Sequence, residues 1–271
     1  MPASTSPIPQ SQPRLKKSLG QNFLHNPAIC EQMCAQLSLT EDDQILEIGP
    51  GAGALTDVLE RCPHRRLLLL EKDAYWARQR QKAAKNATCC VLCDALSFDF
   101  RRLCGAHFTV VGNLPYNVAS PLIWTIAEQV NDLKQAMFMV QKEVAQRLCA
   151  TPGHKSYGAL SVWVQSFLEA RLAFVVKPGN FTPPPKVDSA VVCFSPKSQR
   201  PDSTLLPPLR ALLRLCFQQR RKQLAHILRS AKIQNYQGIL ADLGLLPRVR
   251  PEELSVQNFQ LLAAFFRDVL T

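Results

Sequence analysis

The sequence predicts an α/β protein: a parallel, doubly wound sheet followed by a small all-helical region. Three observations carry this. Between residues 44 and 194 short apolar runs alternate with amphipathic stretches, the pattern of strands joined by crossover helices. A glycine-rich run, Gly49-Pro50-Gly51-Ala52-Gly53, sits where the first of these strands gives way to a helix. Beyond a Pro- and Ser-rich stretch at residues 195–208 the strand pattern stops and helical periods take over.

The elements follow in order. Residues 1–13 hold four prolines and no apolar periodicity, and read as a disordered tail. Arg14, Lys16 and Lys17 then lead into Gly20-Gln21-Asn22-Phe23-Leu24. Asn26-Pro27 offers an N-cap and a first-turn proline, predicting a helix to about residue 37. Strands are predicted at 44–48, 67–70, 89–92, 108–111 and 136–141, and helices at 53–61, 74–84, 121–130 and 143–149. A helix at 157–169 precedes strands at 172–176 and 189–194, which are separated by a proline-dense loop from Pro178 to Lys186. With residues 195–208 as linker, the expected division is a tail (1–13), a sheet domain (14–198) and a helical domain (199–271). The helical domain has periods at 209–217, 222–229, 238–243 and 256–270, and Phe259, Leu262, Phe265 and Phe266 give its last helix a buried face.

Composition narrows the class. Of 271 residues 46% are apolar, enough for a sizeable core, which excludes global disorder. No apolar run approaches the roughly 18 residues that span a bilayer. No charged-then-apolar leader opens the chain, and the prolines of the tail spoil an amphipathic transit helix, so a cytoplasmic protein with no membrane partner is expected. The ten cysteines are scattered and read as reduced core thiols. Cys90-Val91-Leu92-Cys93 has no second ligand pair, so no metal site is expected, and the sequon at Asn86 carries no glycan in a cytosolic chain.

The net charge of +11 points to a polyanionic partner without choosing between nucleic acid and anionic lipid. Between Arg200 and Thr271 eleven Lys and Arg face five Asp and Glu, so more than half of the surplus lies in about a quarter of the chain. Arg220, Arg221 and Lys222 are the candidate phosphate contacts, although such a run also suits a solvated helix face.

Four motifs carry chemistry. Glycines at the first strand-to-helix turn let a ligand approach bare backbone, a feature shared by dinucleotide and nucleoside binders. The spacing here is G-x-G-x-G rather than G-x-G-x-x-G, which moves the weight from a pyrophosphate ligand to S-adenosylmethionine, a nucleoside with no phosphate to seat. Glu71, about twenty residues later at a strand end, suits ribose hydroxyls. Asp94, after the next strand, suits the exocyclic amine of an adenine; either acid taken alone also reads as a helix N-cap or a solvated carboxylate. The fourth is Asn113-Leu114-Pro115-Tyr116-Asn117. An adenine amine is a poor nucleophile because its lone pair is delocalised, and the Asn113 side-chain oxygen and the Leu114 carbonyl can bind its two hydrogens. Pro115 fixes the loop and Tyr116 offers a face for stacking, while the same residues would also serve as a surface turn. His25, His64, His107, His154 and His226 fit no triad, so no histidine base is assigned.

On these residues the chain resembles the ribosomal RNA adenine N6-dimethyltransferases, most closely the bacterial KsgA type. The resemblance runs from about Lys17 to the C-terminus. It rests on Gly20-Gln21-Asn22-Phe23-Leu24, Glu47-Ile48-Gly49-Pro50-Gly51, the loop at Asn113, Gln141-Lys142-Glu143-Val144, Tyr157-Gly158 and the run from Phe181 to Val192. It implies a Rossmann-like, S-adenosylmethionine-dependent methyltransferase sheet without a metal. It further implies that Asn22, Leu24, Gly49, Glu71, Asp94 and Asn113 contact the cofactor. Asn113, Leu114, Pro115 and Tyr116 would form the target-adenine site, with Phe181 closing the other side of a base taken out of its stack. A bulky residue in a rigid proline loop is expected to face a groove. Ala225-His226 departs from the polar, Asn-containing stretch expected there.

The implied substrate is 16S rRNA in the small ribosomal subunit, dimethylated at two adjacent adenosines in a loop near its 3′ end during subunit maturation, by a monomeric enzyme. Two alternatives stand beside it. A 23S rRNA methyltransferase of the macrolide-resistance type shares the QNFL opening and the N-x-P-Y loop, but the run from Phe181 to Val192 favours the small-subunit type. A non-catalytic assembly or transcription factor is disfavoured by the intact Glu71, Asp94 and Asn113.

Overall fold

A computed structural model describes residues 22–85, 87–103 and 107–270. The expected tail, the basic residues Arg14, Lys16 and Lys17, and the sequon asparagine lie outside the described residues. The first element is a two-residue strand, β1 (Phe23–Leu24), which sequence patterning did not suggest. It pairs antiparallel with β8 (Phe181–Thr182) in the proline-dense loop, so the two ends of the sheet domain's sequence meet. Next, α1 (Pro27–Cys34) starts as expected: the Asn26 side chain accepts from the Ala28 N–H and Pro27 occupies the first turn.

The main sheet has seven strands. Its parallel part comprises β2 (Gln44–Ile48), β3 (Arg66–Glu71), β4 (Thr88–Leu92), β5 (Phe108–Asn113) and β6 (Leu133–Gln141). Then come β7 (Leu168–Val176) and β9 (Ser189–Pro196), and the order across the sheet is β4-β3-β2-β5-β6-β9-β7. The sheet is therefore mixed rather than wholly parallel, because β9 runs antiparallel to both β6 and β7. The reason is the connection. Between β7 and β9 the chain has only a single 3₁₀ turn and β8, with no helix to carry a parallel crossover, so the strand must return as a hairpin partner.

Helices α2 (Thr56–Leu59), α3 (Ala74–Ala83), α4 (Ala119–Gln129), α5 (Lys142–Leu148) and α6 (Ala159–Phe167) complete this part. Two differ from expectation. Helix α2 starts later than residue 53, since Gly51 and Gly53 hold positive φ of 50° and 94° and prolong the turn. Helix α6 ends at Phe167, where the chain passes directly into β7 and pairs with β9.

Strand residues alternate between two apolar layers, as the pleat requires. Leu46, Ile48, Val110, Phe138 and Val140 face one layer, and Ile45, Leu67, Val111, Met137 and Met139 the other. The first layer continues into the C-terminal helices α7 (Leu206–Gln218), α8 (Leu224–Ser230), α9 (Tyr236–Asp242), α10 (Val256–Phe265) and α11 (Arg267–Leu270). The expected helix 256–270 is thus two, broken at Phe266.

Helix α7 buries Leu209, Leu212, Leu213 and Cys216, and the phenol of buried Tyr157 donates to the Leu254 carbonyl at 2.9 Å. Arg200, in the stretch read as a linker, is anchored. Its guanidinium donates to the carbonyls of Ala127, Glu128 and Val130 at 2.7–3.1 Å, capping the C-terminal end of α4, and lies over the Phe167 ring.

Candidate active site

Strand order reverses between β2 and β5: the chain adds β3 and β4 on one side, then β5 and β6 on the other. In an open α/β sheet a ligand crevice forms outside the carboxyl ends of the strands at such a switch. A pocket opens there, lined by residues from the turns after β2, β3, β4 and β5 and by the segment just before α1.

The glycine turn after β2 forms one wall. A Cβ on Gly51 would lie 2.7 Å from the Phe23 ring, so only glycine admits that ring against the turn, and the Gly51 N–H donates to Glu71 Oε2 at 2.9 Å. At Gly49, which has φ +70°, a Cβ would meet no protein atom within 4 Å, leaving bare backbone where a ligand can approach. Glu71, at the end of β3, is only 6% exposed; its other oxygen accepts from the Asp73 N–H at 2.8 Å. Burial pushes its carboxyl up, against the lowering effect of these backbone donors. Beneath the turn, Glu47 is wholly buried and pushed up to about 8 by desolvation, with Thr56 Oγ1 donating to it at 2.7 Å.

Asp94 follows β4. Its Oδ1 accepts from the Leu96 N–H at 3.0 Å, and Lys72 Nζ lies 2.7 Å from Oδ2 and holds the carboxyl below the usual range. Asn113 closes β5. Its Nδ2 donates to the Asn22 carbonyl at 3.1 Å, which fixes the amide so that Oδ1 remains an acceptor. The next residues are braced as well: the Leu114 N–H donates to the Met139 carbonyl at 3.0 Å, and the Pro115 carbonyl accepts from Val118 and Ala119. The Tyr116 hydroxyl lies 2.6 Å from Oγ of buried Ser189 on β9, and burial pushes the phenol up.

Asn22, Gly49, Glu71, Asp94, Asn113, Leu114, Pro115 and Tyr116 therefore line one pocket, as the sequence led one to expect. Two of the other expected residues turn their side chains elsewhere. The side chain of Leu24 is buried in the core and faces no groove, so a cofactor contact at this position would be made by its backbone. Phe181 faces no groove either: it is 2% exposed, pairs with Leu24 across β1–β8 and packs in the same layer as Met33 and Val191. The proline loop makes a strand there, and Phe181 is its inward residue.

Arg220 is engaged within the protein. Its Nε donates to Glu252 Oε2 at 2.6 Å and its Nη2 to the Lys155 carbonyl at 2.5 Å, so it braces the C-terminal helices against the 151–158 loop. Arg221 and Lys222 are exposed. Sequence reasoning also missed three residues. Phe23, which packs on Gly51 and on Trp76, and Ser189, 73 positions from its partner Tyr116, lie in runs that carried the resemblance but had no role assigned; Lys72 adjoins Glu71.

A switch-point crevice with a bare glycine turn, acids on the two following strand ends and an Asn-Leu-Pro-Tyr loop defines a Rossmann-like methyltransferase. The chain belongs to the ribosomal RNA adenine dimethylase family, whose model matches residues 12–268. It is 51% identical over 251 residues to Ribosomal RNA small subunit methyltransferase A of Nitratidesulfovibrio vulgaris (strain DP4), covering 91% of this chain and 94% of that one. Among solved structures, a dimethyladenosine transferase from Plasmodium falciparum superposes with a TM-score of 0.74 at 25% identity, over 91% of this chain and 98% of its own. The 23S rRNA methyltransferase ErmE superposes with a TM-score of 0.67 at 23% identity, over 91% and 99%, and shares the fold.

Proposed function

We propose that the chain uses S-adenosylmethionine to dimethylate N6 of two adjacent adenosines, in a loop near the 3′ end of 16S rRNA in the small ribosomal subunit, as a step in subunit maturation. One observation carries this: the groups suited to a nucleoside cofactor (Asn22, Gly49, Glu71, Asp94) and the uncharged loop 113–116 open on the same pocket. The identity to a relative named for the small subunit supports that substrate over the large-subunit one.

The residues fit the cofactor. After accepting the Gly51 and Asp73 N–H groups, each Glu71 oxygen keeps a lone pair for a ribose hydroxyl, and Asp94 can accept from an exocyclic amine. When bound, S-adenosylmethionine supplies a methyl group made electrophilic by its sulfonium. Asn113 Oδ1 and the Leu114 carbonyl accept the two hydrogens of the target amine, which localises the nitrogen lone pair for in-line attack. Tyr116 stacks on the base, its ring set by the hydroxyl bond to Ser189. No side chain acts as a strong base, because an amine that gains a methyl group sheds its proton readily to water.

Residues 14–198 carry this chemistry, and residues 199–271 supply phosphate contacts through Arg221 and Lys222. The enzyme acts as a monomer in the cytoplasm; among the described residues no helix is long and apolar enough to cross a membrane. The test is methyl transfer from labelled cofactor to unmethylated small and large subunits. Incorporation at adenine N6 in the small subunit alone is expected. Incorporation into the large subunit, or into neither, overturns the proposal.

A further inference from the structure

Lys72 lines the pocket but has no part in the chemistry above. It directly follows Glu71, and its ammonium lies 2.7 Å from Asp94 Oδ2, while Asp94 Oδ1 is held by the Leu96 N–H. Both oxygens of Asp94 thus have protein partners in this structure, one a backbone amide and the other a mobile, charged side chain. The lysine and aspartate side chains are 55% and 34% exposed, which puts the pair at the pocket's mouth and in reach of screening salt. A backbone donor in a turn cannot withdraw without unfolding the turn. A lysine on a four-carbon stem can swing away.

An exocyclic amine that approaches Asp94 at Oδ2, the oxygen whose partner can swing away, must share that oxygen with the ammonium or displace it. We propose that Lys72 is a positioning residue of the cofactor site. It pairs with Asp94, competes with the nucleoside amine for Oδ2, and so lowers cofactor affinity by an amount set by its charge. This rests on the reading of Asp94 as the amine acceptor. An exposed ion pair of this kind is equivalent to about a two- to fivefold change in a binding constant, so the competition tunes affinity without abolishing it. Methionine keeps most of the aliphatic length of the lysine stem without its charge, so Lys72→Met tests charge apart from packing.

The experiment is calorimetric titration of the full chain with S-adenosylhomocysteine, at about 20 mM and about 1 M salt, between which the Debye length falls to about 3 Å and the charge effect weakens. At low salt Lys72→Met binds about two- to fivefold tighter than the parent chain, and the gap narrows at high salt. Lys72→Arg, which keeps the charge, behaves as the parent. Equal or weaker binding by Lys72→Met at low salt overturns the proposal, as does a gap undiminished at high salt, since that would be packing. In an Asp94→Ala background the Lys72→Met effect disappears; if it persists, Lys72 does not act through Asp94. If Asp94→Ala alone binds as tightly as the parent chain, the assignment of Asp94 as amine acceptor has failed, and the Lys72 proposal falls with it.

Discussion

In the pocket, the groups that would face the target adenine carry no charge and each is braced by a neighbour: Asn113 by Asn22, Leu114 by Met139, Tyr116 by Ser189. The region after residue 199 is the reverse, with a surplus of cations of which several are spent inside the protein. Arg200 caps α4, Arg210 pairs with both oxygens of Glu128 and lies over Trp163, and Arg220 is tied to Glu252 and the 151–158 loop. Charge counted along a sequence is therefore not charge available to a polyanion. In the proposed function, selectivity for the base falls to fixed neutral acceptors and attraction to RNA to exposed side chains such as Arg221 and Lys222.

The comparison breaks first at Glu71, whose carboxylate joins the glycine turn to β3. Glu71→Ala strands two N–H groups, Gly51 and Asp73, each worth about 1–3 kcal/mol when buried and unpaired. Cofactor affinity is expected to fall about a hundredfold, read by calorimetry, with a lowered Tm.

Next comes the basic cluster, where neighbours in sequence should behave differently. The double reversal Arg221→Glu and Lys222→Glu should weaken subunit binding about tenfold and lower its salt slope by about two, with Tm unchanged. Arg220→Ala should cost about 1–3 kcal/mol of stability in denaturant titrations and leave the salt slope nearly as it was. Equal effects of these variants on binding would show that the internal contacts of Arg220 do not hold in solution.

A pH dependence is expected under the glycine turn. Glu47, with an ordinary value of 4.5, is pushed up to about 8, so between these the folded protein holds a proton that the unfolded chain has released. Stability accordingly falls as pH rises through that window. Glu47→Gln keeps a partner for Thr56 and should flatten that fall, measured by unfolding at about pH 5 and about pH 8. An unchanged slope would mean that Glu47 is solvated.

Much of the pocket was legible because its parts are local. A strand, a turn and the residue at the strand's end lie within a few positions, and the switch point gathers four such ends. What was hidden depends on contacts between distant segments. Phe181 lies in a loop that reads as irregular, yet it turns inward because residues 23–24 lie alongside it as a strand. The reversal of β9 was concealed for a related reason: a buried strand has the same apolar run in either direction, and only the lack of a crossover helix marks it. The internal role of Arg220 depends on Glu252, 32 residues away, and on a loop more distant still.

The claim that neutral, braced acceptors perform the chemistry while exposed cations position the RNA is tested most directly by Asn113→Ala, assayed for methyl transfer and for small-subunit affinity in the same preparation. Loss of an acceptor used in the transition state should lower transfer by at least about a hundredfold and leave subunit affinity and its salt slope unchanged. Transfer at near the parent rate, or a parallel loss of affinity, would contradict it.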